Sequence, residues 1–150
     1  MRAAPSDAGE LLTLQRACWL QEGLINDSFN IPALQESLED VRGWLAAWDT
    51  WVVRRAGRLV AAARGRLDGA AQDRWDIGRL MVAPDLHGTG LGRSLLEHME
   101  AVAPVQVSSY VLFTGAQSTR NQRMYKKAGF RLRSDLTGPP GTVVLTKTRR

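Results

Sequence analysis

The chain of 150 residues holds one cysteine, Cys18, and two histidines, His87 and His98. A single thiol excludes an internal disulfide framework and a four-cysteine zinc site. With nitrogen ligands equally scarce, no metal site is expected. Lysine is rare, with Lys126, Lys127 and Lys147 its only occurrences, so nearly all positive charge is arginine. Apolar runs are short: none approaches the roughly 20 residues that cross a bilayer. The opening Met1-Arg2-Ala3-Ala4-Pro5-Ser6-Asp7 lacks the apolar core of a secretion signal. Hydrophobic residues at 44% and charged residues at 23% give the balance of a folded globular chain, not a disordered one. The expectation is a reduced, cytoplasmic protein forming one domain over residues 1–150.

Charge is unevenly spread. Residues 1–50 carry a net −5 and residues 51–150 a net +10, which sum to the overall +5. A basic body fits an anionic partner such as a nucleic acid, a membrane surface or a phosphorylated cofactor. A GC-rich genome gives the same arginine excess without any partner, and composition does not separate the two. The arginines are dispersed and not interleaved with aromatics, which argues against nucleic acid.

Periodicity outlines the elements. Arg2–Ala4 reads as a short strand and Pro5-Ser6-Asp7 as a helix entry. Leu11, Leu12, Leu14, Gln15, Cys18 and Trp19 follow at roughly helical spacing. A second helix fits Ala33 to Ala47. Thr50–Ala56 and Arg58–Arg66 read as a hairpin through Ala56-Gly57, and Trp75–Val82 as a further strand. Then come a glycine-rich turn, a helix over 89–102, a strand over 105–114, a short helix over 118–128 and a last strand near Val143–Lys147. The class is α/β, with a mixed, mostly antiparallel sheet of six to seven strands flanked by about four helices.

The informative stretch is residues 75–96: a strand, then His87-Gly88-Thr89-Gly90-Leu91-Gly92, then an amphipathic helix with Leu91, Leu95, Met99 and Val102 on one face. Glycines at a helix mouth leave orphan N–H groups at the positive end of the helix dipole, a nest for phosphate. The bland alternative is a tight strand-to-helix connection. The spacing G-x-G-x-G is not that of a dinucleotide-binding turn. No Lys-Ser or Lys-Thr follows it, which excludes a nucleotide-hydrolysing P-loop.

This segment resembles motif A of the GNAT superfamily of N-acetyltransferases, with Val82-Ala83-Pro84 ahead of the glycines. His87 stands where the family usually has arginine or glutamine. A second stretch, Asn121-Gln-Arg-Met-Tyr125-Lys-Lys-Ala-Gly129-Phe130, is similar to the family's motif B. The likeness is specific across residues 75–96 and 114–130. It implies a GNAT-like fold and acetyl-CoA as the acetyl donor. Met81, Val82 and Ala83 would present backbone groups to the pantetheine arm. His87, Gly88, Thr89, Gly90, Leu91 and Gly92 would hold the pyrophosphate, with Arg93 nearby. Asn121 would hydrogen-bond the cofactor arm, and Tyr125 would serve the leaving sulfur as general acid. Asp76, early in the motif A strand, is either the base for the amine or the ion-pair partner of an arginine such as Arg74.

The implied activity is direct transfer of acetyl to a primary amine of a small molecule, polyamine or peptide in a ternary complex. A non-catalytic acyl-CoA-binding sensor is the alternative. In the family the first two helices border the acceptor. Here that region is acidic and bears Trp44, Trp48 and Trp51, so a cationic amine is expected unless those rings are core. The expected partners are acetyl-CoA and an amine, with no nucleic acid and no membrane; the resemblance also allows a homodimer. Cys18 reads as a packing residue.

Overall fold

Leu11, Leu14, Gln15, Cys18 and Glu22 recur at three- and four-residue steps, and α1 (Ala8–Ile25) lays that stripe toward the sheet. Leu11 and Gln15 are fully buried. The computed structural model describes residues 1–150. The helix enters through a tight turn at Pro5–Asp7. There the Asp7 carboxylate accepts the Ala4 N–H at 2.7 Å and pairs with Arg54 at 2.6 Å.

The single helix expected over 33–47 is two. α2 (Pro32–Gln35) stops before Ser37, and α3 (Leu38–Ala47) starts after it. Ser37 is extended; its hydroxyl accepts the Asp40 N–H at 3.2 Å, while the Asp40 carboxylate accepts the Ser37 N–H at 2.8 Å. This reciprocal cap restarts the helix, which apolar periodicity alone does not reveal.

β1 (Asp49–Arg55) and β2 (Arg58–Asp68) form the expected hairpin, with Ala56 and Gly57 both left-handed at its tip. β3 (Arg74–Val82), α4 (Leu91–Ala101), β4 (Ser109–Gly115), α5 (Thr119–Lys127), β5 (Arg131–Leu132) and β6 (Thr142–Thr148) complete the chain. The sheet has six strands in the order β1-β2-β3-β4-β6-β5, and five helices flank it. Arg2–Ala4 contributes only an isolated bridge from Arg2 to Trp51. β4 starts later than periodicity suggests, because Val107 turns back onto Pro104 and Val105 is left 96% exposed. The two-residue β5 has no sequence signature of its own.

Trp75 anchors the α4 side of the sheet, donating its indole N–H to the Met99 carbonyl at 3.1 Å. It lies across Gly65, where any Cβ would overlap the indole ring. Leu91, Leu95, Leu96 and Met99 are the buried side of α4; Val102 is only half-buried.

Only one pairing in the sheet is parallel, and it is short. β3 and β4 pair at Arg74–Ser109, Trp75–Tyr110 and Asp76–Val111, then part. On its other edge β3 shifts register against β2 between Ala62 and Arg64, with Arg79 in the left-handed region at φ 50°. Such a bulge bends a strand and increases its twist. The result is a V, closed at Asp76 and Val111, whose arms run to Val82 and Gly115.

Candidate active site

A strand edge without a partner carries backbone donors and acceptors aimed sideways. The β4-facing edge of β3 beyond Asp76 is such an edge. Met81 is fully buried and pins the end of that arm. Ala83 is buried, and its N–H goes to Val60 at 2.8 Å. The Val82 carbonyl receives the Cys18 thiol and meets His87 Nε2, each at 3.2 Å. Burial pushes the Cys18 thiol up to about 12, so it stays protonated and serves α1 as a small hydrogen-bonding contact.

The glycine turn lies at the mouth of the V. Gly88 and Gly90 are left-handed, at φ 79° and 81°. Gly90 caps α4, and the first intrahelical bond runs from the Ser94 N–H to its carbonyl at 3.1 Å. The N–H groups of Leu91, Gly92 and Arg93 therefore precede the hydrogen-bonded helix and face outward with its dipole. Thr89 secures the turn through its hydroxyl to the Leu86 carbonyl at 2.7 Å. Arg93 is engaged by Glu97 at 2.9 Å. The guanidinium the motif missed is Arg120 on α5, whose Nη2 lies 3.7 Å from where a Cβ on Gly88 would stand.

α5 forms the other flank. Asn121 and Tyr125 share its inner face, and Gly129, left-handed at φ 99°, ends the helix as its position suggests. Tyr125 is 6% exposed and packs edge-on against Phe130, centroids 6.2 Å apart. Burial pushes its hydroxyl above the ordinary tyrosine range, and the charge of Glu22 adds to the shift. The hydroxyl therefore stays protonated at neutral pH. Asn121 donates to Glu22 Oε1 at 3.1 Å. Ser118 also donates to that carboxylate, and Asn26 Nδ2 does so at 3.3 Å. Glu22 thus ties α1 to the start of α5, across the open end of the V. Its signal in the sequence was a charge at the end of the buried α1 stripe.

The family model of the acetyltransferase (GNAT) family matches residues 12–130. The chain belongs to that family. None of the curated proteins matches it in sequence. Among solved structures, an acetyltransferase from Thermus thermophilus superposes with a TM-score of 0.78 at 18% identity, over 99% of this chain and 94% of the other. The PaiA N-acetyltransferase of Thermoplasma acidophilum, in complex with coenzyme A, gives 0.80 at 13% identity, over 99% and 97%. A ribosomal-protein-alanine N-acetyltransferase from Brucella melitensis gives 0.75 at 18%, over 99% and 98%. At such identities the likeness is one of fold. No helix is long and apolar enough to cross a membrane, and no group of three or more His, Cys, Asp and Glu side chains is gathered to hold a metal.

Asp76 stands at the apex of the V, on the sheet face that carries Arg64 and Arg66. Arg74 pairs instead with Asp68, at 2.7 Å, and Asp76 meets Arg66 only at 3.8 Å. Burial raises the Asp76 carboxyl above its usual range, against the pull of Arg66. A raised acid stabilises the fold only while protonated, so that contribution fades as pH climbs from about 4 through the raised value. Asp76→Asn should therefore melt higher than the wild type at pH 7–8, with the gap closing below about pH 4. If Asp76 is the base, the same variant loses turnover; wild-type rates would remove it from the chemistry.

The acidic, tryptophan-bearing rim takes a different form from the one expected. Glu36 pairs with Arg79 at 3.0 Å and accepts the Trp44 indole N–H at 3.2 Å. Asp40 caps α3, and Glu39 pairs with Arg42. Arg64 lies 4.6 Å from the Trp44 ring and 4.0 Å from that of Trp48, and Arg66 lies 4.1 Å from Trp48. The aromatic faces expected to attract a cationic amine are already covered by the chain's own arginines. Long-range charge on 1–50 could not reveal this, because Glu36, Arg64 and Arg66 find their partners only through the fold.

Proposed function

We propose that the chain is an acetyl-CoA-dependent N-acetyltransferase acting on a primary amine by direct attack in a ternary complex. The observation that carries this reading is the V between β3 and β4, with the α4 nest at its mouth, Tyr125 on one flank and Asp76 at its apex. The nest and Arg120 suit the cofactor's phosphates, and the free β3 edge suits its amide-bearing arm. The amine nitrogen, freed of a proton by Asp76, attacks the thioester carbonyl carbon. The C–N bond forms as the C–S bond breaks, the departing sulfur takes the Tyr125 proton, and the proton that the nitrogen sheds on becoming an amide returns to the Tyr125 oxygen. Backbone N–H groups on the β3 edge are suited to the developing oxyanion. Asn121, now held by Glu22, would have to exchange that bond to reach the cofactor arm.

Incubation with acetyl-CoA and a broad amine panel, read as free thiol, tests the reading. Amine-dependent thiol release is expected. A rise in Tm with acetyl-CoA but no release with any amine would instead favour a non-catalytic acyl-CoA sensor.

A further inference from the structure

Arg64 is a half-buried cation that forms no ion pair of its own. Its Nε is enclosed and donates to nothing. The two acids that act on it, Glu36 and Asp76, are paired with Arg79 and Arg66. Its guanidinium lies over the rings of Trp44 and Trp48. Burial and the neighbouring Arg79 charge hold its pKa down to about 9. A partly buried charge without an ion pair is a cost to the free protein, and a bound anion reduces it.

The strand opposite Arg64 leaves one side of it uncrowded. Opposite it on β3 is Gly78, and a Cβ there would lie 3.5 Å from Arg64 Nε and 3.6 Å from the Trp48 ring. As glycine, residue 78 puts no side chain over the guanidinium. Asp76 is the diagonal neighbour of Arg64, since Arg66 stands opposite it. Diagonal cross-strand side chains start about 7 Å apart. A cation and an acid therefore share one face at the apex of the V. The nest and Arg120 lie at the far end of β3, so the cofactor's phosphates leave Arg64 free.

We propose that the acceptor carries a carboxylate beside its amine, with Arg64 holding the carboxylate while Asp76 meets the amine. This rests on the chain being an amine acetyltransferase. Arginine suits the role because its planar fork matches a carboxylate and its charge persists under partial burial. Asp76 selects the end that bears the amine.

The test uses the whole protein with acetyl-CoA and three matched acceptor sets: free L-amino acids, their α-carboxamides, and the decarboxylated amines with the same side chains. Initial thiol release gives kcat/KM for each. The amino acids are expected to exceed their matched partners by roughly 100-fold or more. The carboxamides have the more readily neutralised amine, so proton availability works against that order. Arg64→Gln should shrink the gap, chiefly by raising KM for the amino acids. A retained acetyl-CoA-induced rise in Tm shows the variant folded, and the wild-type comparison decides if it is not.

Carboxamides or simple amines turned over as well as the amino acids would overturn the proposal and leave the acetyltransferase reading intact. So would a carboxylate preference that survives Arg64→Gln. No release from any amine, despite acetyl-CoA binding, would overturn both.

Discussion

Gly90→Glu should abolish the rise in Tm that acetyl-CoA gives the wild-type protein. Gly90 caps α4 in the left-handed region at φ 81°, and a Cβ built there meets nothing within 4 Å. That open space is where an anion would approach the N–H groups of Leu91, Gly92 and Arg93. A carboxylate placed 4–5 Å from a phosphate costs about 3–4 kcal/mol at an effective dielectric near 20, which weakens binding more than 100-fold. The left-handed backbone adds a penalty of about 1–2 kcal/mol for any side chain, lowering Tm without ligand. Gly90→Ala separates the two effects. It bears the strain but not the charge, and should melt lower yet keep most of its response to acetyl-CoA. A Gly90→Glu variant that binds acetyl-CoA like the wild type would move the phosphate site elsewhere.

Tyr125→Phe is expected to lower kcat by about 100-fold, the usual worth of a positioned proton donor. The dissociation constant for acetyl-CoA should stay within about threefold of the wild type, because the loss falls on an interaction used in the transition state. The ring itself is preserved, so its edge contact with Phe130 and the local packing survive. Since burial and Glu22 hold the hydroxyl above its ordinary range, the wild-type rate should show no alkaline decline from this group up to about pH 10. Unchanged turnover in Tyr125→Phe, with chemistry confirmed as rate-limiting, would reduce Tyr125 to a packing residue.

Much of the site was legible because its chemistry is local. A glycine at 90 and another at 129 are needed where the backbone turns left-handed beside a helix end, and a short window of sequence records that need. Asn121 and Tyr125 face one way because they are four residues apart on one helix. Hairpins and amphipathic helices are likewise local, which is why β1, β2, β3, α4 and α5 fall close to where periodicity places them. The divided second helix shows the limit: Leu34, Leu38, Val41 and Leu45 keep their spacing across a break that the Ser37–Asp40 cap imposes.

Residues adjacent along the chain are enough to define the α/β class, the glycine turn at residues 87–92 and the family to which the chain belongs. Which charges remain free is settled only by folding. Glu22 meets Asn121 and Glu36 meets Arg79 across large separations, while Arg64, surrounded by paired acids, meets none. Coulomb energy depends on distance and burial, not on order along the chain. A charge count over residues 1–50 therefore pointed to a cationic acceptor, whereas the folded cleft holds an unpaired arginine two sheet positions from its aspartate.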